Sequence, residues 1–164
     1  MTRGEPMTRG KPMTRGDLVM VDTNILLSAS NSNRTDHEAS HRVFSKALEA
    51  GVHLATCGQI LREYLVVATR PMQVNGLGLS LEDALTNLDW FRKRQVYLEE
   101  PESVHQNLVR LIEKHNITGK RIHDLNIVAL MNQFNIHTLL TNNAADFEII
   151  PDIEIMDAQA FSTV

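Results

Sequence analysis

The chain has 164 residues, 43% of them hydrophobic and 22% charged, with a formal net charge of −4. That suffices for one domain with a substantial core, and it argues against a strongly basic nucleic-acid binder while leaving room for a local basic rim. No apolar run reaches the ~18 residues of a membrane span, the N-terminus lacks the apolar segment of a secretory signal, and the lone Cys57 excludes an internal disulfide or cysteine metal cluster and fits a reducing cytoplasm.

Residues 1–16 repeat a short unit, Met1–Pro6, Met7–Pro12 and Met13–Gly16, whose Pro and Gly spacing predicts a disordered tail ahead of a domain at 17–164. The Met-led copies read as a short duplication at the start of the gene, with Met13 and Met20 as alternative translation starts. The domain opens with an apolar run at about 18–22, the pattern of a buried parallel strand. Short helical character follows over Asn24–Ala29, then a polar run over Ser30–Arg34. Asp36 is the expected N-cap of a helix that ends at Gly51. Val52–Ala55 predicts a second strand, and Thr56 the cap of a helix stopped by Pro71. Ser80 and Asp83 form a capping box for a helix over 81–93, and Val96–Leu98 predicts a third strand. Pro101 opens a helix to His115, Gly119 closes that region, and residues 122–134 form a helix with a broad apolar surface. His137–Leu140 and Ile153–Ile155 complete the strands; from Asp157 onward no pattern stands out. Strands separated by helices imply βαβ units, hence a three-layer α/β/α domain around a mainly parallel sheet of four to five strands.

Ligands of open α/β sheets bind beyond the carboxyl ends of the strands, where Asp22 stands. Asp22 is also well placed simply to cap the following helix. Three other acids occupy comparable positions: Glu63 one and a half turns into the second-strand helix, Asp124 in the first turn of the 122–134 helix, and Asp146 after the fourth strand. Carboxylates converging on one cleft repel one another, and a divalent cation relieves that cost. An all-oxygen set selects Mg²⁺ or Mn²⁺ over zinc, and such a site can activate water against a phosphodiester. Caps and solvated faces remain the alternative for the same acids.

The stretches Val21–Leu26, Leu61–Tyr64 with Ala68–Pro71, His123–Ala129 and Thr141–Phe147 occur in an order and spacing that resembles the PIN-domain family, and within it the VapC-type ribonuclease toxins, over roughly residues 19–157. The resemblance implies an acidic metal pocket and Mg²⁺- or Mn²⁺-dependent cleavage of RNA. It also implies a homodimer, a small cognate antitoxin that blocks the pocket, and promoter DNA contacted only through the antitoxin complex. Carried over by position, Asp22, Asp124 and Asp146 are metal ligands, with Glu63 and Asn143 as further candidates. Asp22, Glu63, Asp124 and Asp146 carry the chemistry, and Thr141 positions water or phosphate. Thr23 or Asn24 supports Asp22. Many family members have an aspartate two residues after the threonine, where this chain has Asn143; others use the acid five residues after it, here Asp146.

Arg62, Arg70, Lys120, Arg121 and His123 are candidate substrate contacts, since cations near the acids can hold phosphate oxygens, and Asn24 beside Asp22 is another. The remaining histidines lack ligand spacing, and Trp90, Phe91 and Tyr97 are spaced as core or dimer surface, not as a platform for stacking bases. Two further readings stand beside the toxin ribonuclease: an RNA-maturation nuclease of the same chemistry, and an inactive RNA- or protein-binding module, to which the uncharged Asn143 points.

Overall fold

A computed structural model describes residues 13–148, 150 and 153–163. Of the disordered tail expected over residues 1–16, residues 1–12 lie outside them. Met13 packs against the core, and the Gly16 N–H donates to the Gly51 carbonyl at 2.8 Å.

Five strands form one sheet, β1 Leu18–Val21, β2 His53–Cys57, β3 Val96–Leu98, β4 Thr138–Leu140 and β5 Glu154–Met156, in the order β3-β2-β1-β4-β5 with every pair parallel. β1 is central because it is apolar on both faces: Val19, Met20 and Val21 are each 0% exposed. Its register with β2 (Val19 opposite Leu54) and β4 (Val19 opposite Thr138) leaves no open edge. Helices α1 Thr23–Ala29, α2 His37–Ala50, α3 Gly58–Thr69 and α4 Leu81–Arg92 pack in sequence, α1 against α2 and α3, and α3 against α4. Helices α5 Glu102–His115 and α6 Arg121–Gln133 pack on each other in the return from β3 to β4. Right-handed crossovers running outward from β1 to β3, then back past β1 to β4, put these two groups on opposite faces and give the three layers. The reversal makes the gap between β1 and β4 a topological switch point, where open α/β sheets form their crevice.

Local expectations yield to the sheet in three places. β2 runs on to Cys57 because Thr56 and Cys57 pair with Tyr97 and Leu98 of β3, so Thr56 is a strand residue and Cys57 holds the N-cap position of α3. Asp36 precedes α2 without a side-chain capping bond; its Oδ2 instead accepts from Ser28 Oγ at 2.8 Å and Asn142 Nδ2 at 2.7 Å. A short helix α7, Ala158–Phe161, is capped by Asp157 and packs on α2, an element too brief to carry a periodic pattern. The Ser80–Asp83 capping box forms as expected. Gly76 is required after α3, since a Cβ there would lie 1.9 Å from the Arg70 carbonyl oxygen. Phe91 is buried and joins α2, α3 and α4 through rings 5.3 Å from Phe44 and 5.4 Å from Tyr64, while Tyr97 stays exposed at the sheet edge.

Candidate active site

β1 ends at Val21, and the chain turns at once into α1 with Asp22 as its N-cap. Oδ1 of Asp22 accepts the Thr23 N–H at 2.7 Å, so the capping role is real. The other oxygen does different work. Oδ2 accepts from Thr141 Oγ1 at 2.7 Å and from Asn24 Nδ2 at 2.8 Å, tying the end of β1 to the residue that follows β4. Asn24 also bonds Thr141 Oγ1 at 2.8 Å and accepts the Asn142 N–H at 3.0 Å, closing a tight ring across the switch point. Asp22 is 9% exposed, and Thr141 is fully buried.

Glu63 comes from α3, half-buried, with both oxygens engaged: Thr23 Oγ1 donates to Oε2 at 3.2 Å and Gln59 Nε2 to Oε1 at 2.9 Å. Gln59, one turn earlier on the same face, also donates to the His123 carbonyl at 2.9 Å and accepts from Asn126 Nδ2 at 2.9 Å. It thereby fixes α3 to the first turn of α6, which carries Asp124. Asp124 itself has no hydrogen bond or ion pair among the described residues. After β4, Ala144–Asp146 makes a short 3₁₀ turn, and the exposed Asn143 just before it donates through Nδ2 to Asp146 and through its backbone N–H to Thr141 Oγ1 at 3.1 Å.

The four acids feel one another. Burial pushes Asp22 up to about 6 from 3.8; the Thr141 and Thr23 hydrogen bonds oppose this, and the charges of Glu63 and Asp146 add to it. Burial likewise pushes Asp124 up to about 6, reinforced by Asp146, Asp22 and Glu63 and offset in part by His123. Carboxylates from four separate elements therefore share one field at the carboxyl ends of β1, β2 and β4. Among the described residues no group of three His, Cys, Asp or Glu side chains is drawn tightly enough to hold a metal ion as the side chains stand.

The sequence candidates thus separate. Asp22, Glu63, Asp124, Asp146, Asn24, Thr141 and Asn143 come to one place. Arg62 is exposed beside Glu63, and Lys120 and Arg121 are exposed at the start of α6, one turn before Asp124. Arg70 is different: it ends α3, seven residues and about 10 Å of helix beyond Glu63. Sequence reasoning missed Gln59 as a positioning residue; its signal was the i, i+4 spacing to Glu63. It also missed Asn142, whose Nδ2 bonds Asp36 and Ser40 and whose Oδ1 accepts the Ala158 N–H at 3.1 Å.

A parallel doubly wound sheet with an acidic cleft at its switch point defines the class. The family profile described as PIN domain matches residues 18–145, and the chain belongs to that family. Solved structures share the fold. VapBC2 from Rickettsia felis, bound to a DNA fragment from the promoter, is 22% identical with a TM-score of 0.63, over 85% of this chain and 98% of that one. DNA-bound VapBC from Salmonella typhimurium is 21% identical with a TM-score of 0.62, over 89% and 99%. VapBC-1 from nontypeable Haemophilus influenzae is 17% identical with a TM-score of 0.61, over 86% and 98%. A comparison with curated proteins found no match. No helix among the described residues is long and apolar enough to cross a membrane.

Proposed function

We propose that this PIN domain is a divalent-metal-dependent endoribonuclease and acts as the toxin of a toxin–antitoxin pair. The observation that carries the reading is the gathering of Asp22, Glu63, Asp124 and Asp146 in one field, where burial first and the neighbouring carboxylates second raise Asp22 and Asp124 to about 6. An all-oxygen donor set under mutual repulsion fits Mg²⁺ or Mn²⁺, with Asp22, Asp124 and Asp146 as the ligands and Glu63 and Asn143 as further oxygen donors. When bound, the cation supplies positive charge for a phosphodiester in transit and lowers the pKa of an attacking water.

The chain's own residues do the rest. Thr141 and Asn24 hold the Asp22 carboxylate in one orientation, so its charge is aimed before substrate arrives. Gln59 does the same for Glu63. Arg62, Lys120 and Arg121 offer exposed cations to backbone phosphates around the acids, which compensates a net charge of −4. The likeness to VapBC complexes supports a small antitoxin partner, a homodimer, and promoter DNA reached through the antitoxin complex.

Purified protein should cleave RNA with Mg²⁺ or Mn²⁺ present and stop when EDTA is added, and Asp22→Asn should lose more than about 100-fold in rate, beyond the range for outer-shell partners of a metal. Unchanged cleavage in EDTA or in Asp22→Asn would remove the assignment. A second reading, an inactive binding module, draws on the uncharged Asn143 and the open spacing of the acids. It predicts RNA or protein binding that is indifferent to divalent ions.

A further inference from the structure

A second cleft of about 340 Å³ adjoins the acids and shares Glu63 with them. Its lining comes from α3, α5, α6 and from Glu100, two residues after β3. Gln59 and Asn126 form part of its lining, and their bond to each other at 2.9 Å fixes both amides. Leu108 of α5 and Ile122 of α6, both half-buried, supply apolar surface to it. Its size lies within the ~300–1,000 Å³ of small-ligand sites.

Two groups of opposite hydrogen-bonding sense face this cleft. Glu100, exposed just beyond the carboxyl end of β3, receives Asn126 Nδ2 on Oε1 at 3.2 Å and keeps acceptor capacity on both oxygens. Arg62, exposed on α3, has no hydrogen bond or ion pair among the described residues, so its five N–H donors are uncommitted. A cleft lined by two apolar side chains together with the acceptor-only carboxylate of Glu100 and the donor-only guanidinium of Arg62 fits a planar base with two adjacent N–H donors next to a carbonyl. Guanine has that edge: N1–H and N2–H₂ match the carboxylate, and O6 matches the guanidinium. Uracil places a carbonyl on each side of its single N–H, and adenine and cytosine each offer an amine beside a ring acceptor. Bases splayed out of single-stranded RNA are read in this way, on apolar surfaces and through their edges.

We propose that this cleft is a guanine pocket that sets which nucleotide lies beside the cleaved phosphodiester, with Glu100 as its specificity-determining residue. The inference rests on the ribonuclease reading for its substrate class, but its test does not need cleavage. Guanosine, adenosine, cytidine and uridine 5′-monophosphates are titrated into metal-free protein, following the side-chain amide signals of Gln59 and Asn126 by NMR. GMP should shift both signals and bind at least about tenfold more tightly than the other three, and Glu100→Gln, which turns one acceptor into a donor, should erase that margin. Equal binding of all four nucleotides, or a GMP preference that survives Glu100→Gln, overturns the pocket. Asp22→Asn should bind GMP as the wild type does while failing to cleave RNA. Cleavage by Asp22→Asn would overturn the nuclease assignment and leave the pocket standing. Asp22-dependent cleavage without GMP preference would do the reverse.

Discussion

Asp22 and Glu63 share one electrostatic field with Asp124 and Asp146, yet the two pairs are held in contrasting ways. On the first side each carboxylate oxygen has a named donor: Thr23, Thr141 and Asn24 for Asp22, and Thr23 and Gln59 for Glu63. On the second side Asp124 has no hydrogen bond or ion pair among the described residues, and Asp146 rides an exposed 3₁₀ turn tied by Asn143. One half of the site is built into the sheet and its first helix; the other is left to answer charge. The acids share one field, and among the described residues no three His, Cys, Asp or Glu side chains are grouped so as to hold an ion.

The sharpest way to break that contrast is to neutralise one acid from each half. Asp22→Asn and Asp124→Asn should each remove cleavage by more than about 100-fold, because both halves must supply a ligand. Retention of activity in Asp124→Asn alone would confine the chemistry to the built half. Next in size is the loose half's own division of labour. Asp146→Asn should cost about 10–100-fold in metal-dependent rate and Asn143→Ala less than that, since Asn143 bonds Asp146 and brings no charge. The reverse order, read from cleavage rates across a Mg²⁺ titration, would make Asn143 the ligand.

A smaller effect probes how rigidity reaches Glu63. Gln59→Leu leaves the His123 carbonyl and one Glu63 oxygen without their donor, and urea unfolding should report a loss of about 1–3 kcal/mol together with a reduced cleavage rate. Unchanged stability would mean that the bridge between α3 and α6 carries no weight. The smallest expected difference concerns the cations. Arg62→Ala should weaken RNA binding and flatten its salt dependence, whereas Arg70→Ala, at the far end of α3, should change neither by more than about twofold. Equal losses in filter binding would extend the RNA track along the whole helix.

Much of the fold was legible because its strands are apolar runs and its helices carry their own stops. The β1 run, Pro71, the Ser80–Asp83 box and Gly119 are local signals that tertiary structure did not overrule. Thr56 and Asp36 misled because each looks like a cap, and the better partners lay far away in sequence: Tyr97 across the sheet for one, Ser28 and Asn142 for the other. The convergence of the four acids was visible from their positions after strands and in the first or second turns of helices. Asn126 and Asn142 were not, because they act through long-range bonds that spacing does not encode, and for Gln59 the i, i+4 spacing reveals the bond to Glu63 but not those to α6. Arg70 shows the same limit from the other side. Seven residues from Glu63 is close in sequence and two turns away in a helix.

The central claim, that these carboxylates make one cation-dependent site, is tested most directly by thermal unfolding with and without Mg²⁺ at two pH values. Folding holds Asp22 at about 6 against an ordinary 3.8, so it favours the protonated carboxyl. That contribution is complete below about pH 4 and is lost as pH rises through about 6, a swing on the order of 3 kcal/mol from this residue. Asp124 is shifted in the same direction and acts in the same window. Metal-free protein should therefore melt higher at about pH 5 than at about pH 7.5, and Mg²⁺ should raise the melting temperature at the higher pH but hardly at the lower. Asp22→Asn should melt no lower than metal-free wild type at about pH 7.5 and should gain nothing from Mg²⁺. A wild type unmoved by Mg²⁺ at that pH, or an Asp22→Asn variant stabilised as much as the wild type, would contradict a shared cation site centred on Asp22.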